Sequence, residues 1–232
     1  MLVKYWMKKA VVTLDVSDSM RDAISLMKEY QAPLLPVLKK GKLVGVVTDR
    51  DLKRASASDA TTLDIHELAY LISKIKVGDI MTKNPVTVPP DHTVEETADL
   101  LLKNKISGAP VVDGEGRILG SISQAELFRA LISLSGFEKR GIQLAFKIED
   151  RPGSIKDVTD VIREFGGRLV SILTSYERAP VGYRHLYVRF YGIDRARTEE
   201  LLEKLSAKAP ILYMVDHRDN VREEYIESSR FG

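Results

Sequence analysis

The stretch Gly45-Val46-Val47-Thr48-Asp49-Arg50-Asp51-Leu52 decides the fold, because it recurs as Gly120-Ser121-Ile122-Ser123-Gln124-Ala125-Glu126-Leu127. In both places a strand-forming run ends on a hydroxyl residue, and a carboxylate follows three positions later. That is a strand leading into a capped helix. The match extends outward in order. Met7-Lys8-Lys9-Ala10-Val11-Val12-Thr13 parallels Met81-Thr82-Lys83-Asn84-Pro85-Val86-Thr87. Met20, Ala23, Ile24 and Met27, and later Val94, Thr97, Ala98 and Leu101, fall at helical spacing. Ser19 with Asp22, and Thr93 with Glu96, cap those helices. Each helix is followed by a short apolar strand (34–38 and 108–112), a turn, and a second strand (43–47 and 118–122). The copies stay in register apart from one extra residue in the second turn.

A β-α-β-β-α unit of this size leaves an apolar sheet face uncovered. Two copies in one chain can bury those faces against each other, which predicts an intramolecular pseudo-dimer with a cleft between the halves. Pro36-Val37, the run Gly45 to Leu52, and Val77-Gly78-Asp79-Ile80-Met81-Thr82 resemble tandem CBS domains over roughly residues 1–135. The expected division is a first CBS domain at 1–58, a linker helix at 59–76 and a second CBS domain at 77–136. Within the linker, Asp64-Ile65-His66-Glu67 can cap a helix carrying Leu68, Leu71, Ile72 and Ile75 on one face. Ser56 to Thr61 with His66 to Val77 is similar to the acetoin-utilisation protein B family, which implies a link to acetoin or related carbon metabolism.

The pattern changes after Gly141. Gln143 to Glu149 alternates as a strand, Asp150-Arg151-Pro152-Gly153-Ser154 turns, and Ile155, Val158, Ile162 and Phe165 mark a helix face that Gly166-Gly167 ends. Strands follow at 169–176 and 184–191, then a helix at 199–208 and a strand at 211–215. The order β-α-β-β-α-β is ferredoxin-like. With Asp-Arg-Pro-Gly at the first strand–helix turn, residues 141–218 resemble an ACT domain. A polar tail, expected to fray or to serve as an interaction segment, fills 219–232. The fold class is therefore mixed α/β (α+β): a CBS pair followed by a ferredoxin-like ACT domain.

For the CBS pair the resemblance implies an adenine nucleotide (the AMP, ADP or ATP class) as regulatory ligand. Asp51 would accept hydrogen bonds from the ribose hydroxyls, while Thr48 and the helix start face ribose or phosphate. A plain capping pair explains Thr48-x-x-Asp51 equally well. In the second copy Ser123 and Glu126 hold these places, and the longer side chain is expected to shift that carboxylate away from a diol. Family matching groups Val12, Thr13, Leu34, Leu35 and Pro36 with the first site. It groups Val86, Thr87, Ser107, Gly108, Ala109 and Pro110 with the second. Strand residues in a core would look the same. Phosphate needs cations, and Arg50, Lys53, Arg54, Lys8 and Lys9 are candidates. In the ACT-like unit, Asp150, Arg151, Pro152, Gly153, Ser154 and Ile155 are the expected amino-acid site; a turn kept for dimerisation alone fits as well.

Other classes of function find little support. There is no cysteine, so thiol nucleophiles, disulfides and Cys-based zinc sites are excluded. His66, His92, His185 and His217 show no metal-ligand spacing, and no Walker, Rossmann or nucleophile-elbow motif is present. A net charge of +2 sets up no strong field toward nucleic acid. No apolar run suits a signal peptide or a membrane span. The expectation is a cytoplasmic, homodimeric ligand sensor that is not an enzyme, needs no cofactor or metal, binds no nucleic acid or membrane, and passes its signal to an unidentified partner protein. Three alternatives are an amino-acid sensor with the CBS pair as scaffold, an unrecognised enzyme of acetoin or carbon metabolism, and a DNA-binding regulator, which the sequence supports least because it offers no basic recognition helix.

Overall fold

The first copy runs β1 (Leu14–Asp15), α1 (Met20–Glu29), β2 (Leu34–Lys39), β3 (Lys42–Thr48), α2 (Asp49–Asp59). The second runs α3 (Val77–Ile80), β4 (Thr82–Lys83), α4 (Val94–Lys103), β5 (Gly108–Val112), β6 (Ile118–Ser123), α5 (Gln124–Ser135). This computed structural model describes residues 1–59, 70 and 72–225, divided into a unit Met1–Ala130 and a unit Leu131–Gly232. The capping expectation for Asp64 to Glu67, and the placement of Leu68 and Leu71, lie outside the described residues. Ile72 and Ile75 pack against the first-copy core.

Ser19 and Thr93 close reciprocal capping boxes with Asp22 and Glu96. Met20 and Ala23 are buried in the first core, and Val94, Thr97 and Leu101 in the second copy. Ile24 departs from the expected face, being 37% exposed. The hairpins β2–β3 and β5–β6 repeat the same register, Leu34 opposite Thr48 and Gly108 opposite Ser123, with a shift at Val37/Leu38 and at Val111/Val112.

The two copies exchange their leading segments, so neither sheet is built from its own stretch of chain alone. β4, which opens the second copy, pairs with β3 of the first through Thr82–Val46 and Lys83–Gly45. Lys8, which opens the first copy, bridges Ser121 on β6. Val3 is buried in the second core and Val77 in the first. Their backbone N–H groups bond to His92 and to Asp18 respectively. The repeated Met and Gly now explain each other. A Cβ at Gly45 would lie 2.5 Å from Sδ of Met81, and one at Gly120 would lie 2.7 Å from Sδ of Met7. Each exchanged methionine occupies the space that a glycine leaves open.

The C-terminal unit contains β7 (Ile142–Glu149), α6 (Ser154–Glu164), β8 (Arg168–Ser175), β9 (Tyr183–Tyr191), α7 (Thr198–Ser206), β10 (Ile211–Asp216) and β11 (Val221–Glu224). Its sheet has the order β11-β10-β7-β9-β8, and all its pairings are antiparallel. The first six elements follow the β-α-β-β-α-β order expected. Leu144, Phe146, Val188 and Phe190 form the core with Val158, Ile162, Leu201 and Leu205 of the two helices. The polar tail is corrected in part: Val221–Glu224 is an edge strand on β10, held through its backbone while its side chains stay exposed. Residues 226–232 lie outside the described residues.

Candidate functional site

Thr48 ends β3 and Asp51 stands in the first turn of α2. Oδ2 of Asp51 accepts from the Thr48 backbone N–H (2.9 Å) and hydroxyl (2.6 Å), while Oδ1 accepts from Nη2 of Arg54 (3.1 Å) and the hydroxyl of Thr82 (3.4 Å). The carboxylate is 5% exposed as a residue and fully partnered. Ser123 and Glu126 repeat the arrangement. Oε2 of Glu126 accepts from the Ser123 backbone N–H (3.0 Å) and hydroxyl, and Oε1 accepts from Nη1 of Arg129 (2.8 Å). The longer side chain therefore folds back to make the same box, followed by the same arginine three positions on.

A cavity of about 700 Å³ opens at the first of these boxes. Thr48, Asp49, Arg50, Asp51, Lys53 and Arg54 of the first copy line it. From the second come Thr82, Asn84, Pro85 and Val86 with Lys105, Ile106, Ser107, Gly108 and Pro110; Pro33 and Val46 complete the wall. The expected grouping is thus corrected. Val86, Ser107, Gly108 and Pro110 share a cavity with Thr48, Arg50 and Asp51, not with Ser123 and Glu126. The exchange of leading segments accounts for Val86, which follows the stretch 82–84 bonded to β3. Ser107, Gly108 and Pro110 come in where β5 approaches β2, a Cβ at Gly108 lying 2.7 Å from Cδ2 of Leu34.

The remaining candidates do not line this cavity. Leu34, Leu35 and Pro36 are buried, Leu35 in the first core, and Val12 packs against that core. Thr13 and Thr87 are half-buried, Ala109 belongs to the second core, and Ser123 and Glu126 are buried elsewhere. Sequence reasoning missed Pro33, Val46, Thr82, Asn84, Pro85, Lys105 and Ile106. Their signal lies in three-dimensional pairing, which local pattern does not carry.

The lining has a cationic surplus. Lys53 pairs with Asp49 at 2.6 Å and Arg54 with Asp51. Arg50 and Lys105 line the cavity without an ion pair among the described residues. Pro33, Val46, Pro85, Val86, Ile106 and Pro110 give the lining its apolar part. The arrangement offers a carboxylate, two cations without an ion pair among the described residues, and apolar side chains in one cleft.

The family model described as "CBS domain" matches residues 3–58 and 77–133. A CBS domain-containing protein of Dictyostelium discoideum is 31% identical over 134 residues, covering 57% of this chain and 92% of its own length. The chain belongs to the CBS domain proteins. An uncharacterised protein of Methanocaldococcus jannaschii, MJ1426, is 32% identical over 155 residues, 57% of this chain and 92% of its own. Among solved structures, CBSX2 of Arabidopsis thaliana in complex with AMP is 35% identical over 56% of this chain and 96% of its own, with a TM-score of 0.46. As a CBS pair, residues 1–130 carry the cleft between the two copies, while the family match ends at 133.

The expected amino-acid turn lies in the other unit. Arg151 is held between Glu149 and Asp157, both at 2.8 Å, and those partners raise its pKa. Asp150 accepts from the Tyr176 hydroxyl at 3.2 Å and sits 3.6 Å from Arg184. Arg151 and Ser154 line a cavity of about 260 Å³ with Lys147, Asp157, Tyr183 and Lys208; Asp150, Pro152, Gly153 and Ile155 do not line it. Among the described residues, no group of acids and histidines could hold a metal ion, and no helix is long and apolar enough to cross a membrane.

Proposed function

We propose that this CBS pair binds an adenine nucleotide in the cleft at Asp51 and acts as a regulatory ligand sensor. The observation that carries the reading is the cavity itself. Its volume of about 700 Å³ falls within the size of small-molecule sites, and it joins a diol acceptor, uncommitted cations and an apolar wall. The ribose hydroxyls would donate to Oδ1 of Asp51, taking the place of Arg54 and Thr82. Arg54 then turns toward phosphate alongside Arg50 and Lys105. The adenine would lie against Pro85, Val86, Ile106 and Pro110. Ligand binding would act by favouring one packing of the copies over another, which requires unequal affinity for the two states.

A thermal-shift panel tests this, with AMP as first probe because the CBSX2 structure contains it. A ligand at a hundred times its dissociation constant adds about 2.7 kcal/mol of stability. Asp51→Asn keeps an acceptor for the Thr48 cap but weakens the diol contact, so the AMP shift should vanish. Glu126→Gln should leave it in place. An undiminished shift in Asp51→Asn refutes the assignment.

For the C-terminal unit we propose an ACT-type module whose amino-acid ligand meets the 150–155 turn. The element order and the cavity beside Arg151 and Ser154 support it. Amino acids that stabilise the native chain but not a Gly153→Val variant would bear this out.

A further inference from the structure

Strand register places one set of side chains on the face of the C-terminal sheet opposite the core formed with α6 and α7, because alternate residues point to opposite faces. Arg222, Val215, Gln143, Arg189 and Ser171 are successive cross-strand partners and form one row; Tyr213, Ala145, Tyr187 and Leu173 form the next. Arg189 is only 4% exposed. Its Nε donates to the Ser135 carbonyl at 2.9 Å and its Nη2 to Oε1 of Gln143 at 2.6 Å. Nη1 is buried with no hydrogen-bond partner, and no carboxylate pairs with the guanidinium among the described residues. Burial draws its pKa down, yet a guanidinium keeps its charge at neutral pH. A buried charge without a counter-ion is costly, so its persistence needs a cause.

A second unsatisfied atom lies nearby. Nε2 of His217 is buried without a partner. The Phe137 ring meets the His217 ring edge-on at 5.2 Å and lies 5.7 Å from the Arg189 guanidinium. Two unused polar groups thus flank one aromatic ring. Phe137 itself is half exposed and belongs to a three-residue 3-10 turn, Phe137–Lys139.

We propose that this place binds a small organic monocarboxylate, its oxygens on Nη1 of Arg189 and the Nε2–H of His217 and its apolar body against Phe137. One guanidinium neutralises one negative charge, and neutral His217 adds a donor without adding charge. A phosphate dianion would keep a buried surplus. The site is separate from the nucleotide cleft and from the 150–155 turn.

The test titrates the full chain with benzoate, phosphate and chloride at matched ionic strength. It reads thermal midpoints and the side-chain nitrogen resonances of ¹⁵N-arginine. Benzoate should raise the midpoint saturably and move the Arg189 Nη signal, in the native chain and in Arg151→Ala alike. Arg189→Lys, which keeps the charge but lacks Nη1, should bind benzoate about tenfold more weakly, the loss of one charge-assisted hydrogen bond. If that variant fails to fold, the native resonances decide: an unmoved Arg189 signal overturns the proposal. An equal response to phosphate overturns the choice of carboxylate. A benzoate response lost in Arg151→Ala and kept in Arg189→Lys moves the ligand to the turn, and no saturable response at all removes the site.

Discussion

Replacing Gly120 with alanine should destabilise the CBS pair more than the same change at Gly45, although the two glycines hold equivalent places in the repeat. A Cβ at Gly45 would sit 2.5 Å from Sδ of Met81, the far end of a flexible side chain, and 3.0 Å from the Thr82 carbonyl oxygen. Rotation of Met81 relieves most of that clash. A Cβ at Gly120 would sit 2.7 Å from Sδ of Met7 and also 2.7 Å from the backbone oxygen of Lys8, which a rotamer change cannot move. Lys8 and Ser121 form a bridge at that position, each backbone N–H donating to the other's carbonyl at 2.9 and 3.0 Å. Relief means parting those strands. Overpacking costs about 1–3 kcal/mol; Gly45→Ala belongs at the lower end and Gly120→Ala at about 3 kcal/mol. Urea unfolding followed by circular dichroism gives both values, with the slope checking that the unfolding surface is unchanged. A double-mutant cycle adds the mechanism: Met81→Ala should recover part of the Gly45→Ala loss, with a coupling of about 1 kcal/mol. Equal losses at the two glycines, or strict additivity with Met81→Ala, would refute the account of exchanged methionines filling glycine gaps.

Other expectations follow from the caps and ion pairs. Ser19→Ala and Thr93→Ala should each lower stability by about 1 kcal/mol in urea melts at neutral pH. The Ser19 hydroxyl and backbone N–H hold Asp22 below its ordinary value of 3.8, and the Thr93 backbone and hydroxyl hold Glu96 below 4.5. Both pKa values are depressed by folding, so their contribution is full above those ordinary values and fades as pH falls through the lower folded ones. The penalty of either cap mutation should therefore shrink in melts at about pH 3; a penalty independent of pH argues against the reciprocal boxes. In the C-terminal unit, Asp216 is buried and takes both Arg195 nitrogens and the Arg218 backbone N–H. Asp216→Ala should cost about 2 kcal/mol, discounted for the partial exposure of Arg195, and calorimetry should show it.

Much of the architecture was legible because it is written in local spacing. The caps at Ser19 and Thr93, the hairpins 34–48 and 108–123, and the alternation of Gln143 to Glu149 each involve residues close in the chain. The exchange of leading segments was not legible, because Met7 and Met81 look alike whichever sheet they join. That gap explains the misgrouped site: Thr48 and Asp51 were picked out by their cap, but their neighbours Thr82 and Asn84 arrive by strand pairing. Leu35 and Ala109 fit a ligand contact or a core strand equally in the sequence, since an apolar strand residue gives the same pattern in either role, and both belong to the cores. The edge strand Val221–Glu224 escaped for another reason. An edge strand can be held by its backbone alone, so its side chains need not alternate.

The exchange also bears on how the N-terminal unit comes into being. The first sheet takes its outer strand β4, and the second its bridge at Lys8, from the other copy's stretch of chain, so the first half cannot finish until β4 has been synthesised. Contacts of such sequence separation slow folding. A chain cut within 60–69 should yield two fragments that are each incomplete and that reassemble when mixed, with the tether replaced by concentration. The cleft at Asp51 draws walls from both fragments and so exists only after that assembly. Bound nucleotide would then guard the whole of Met1–Ala130 against proteolysis, and would serve as a checkpoint that the interlocked halves have closed.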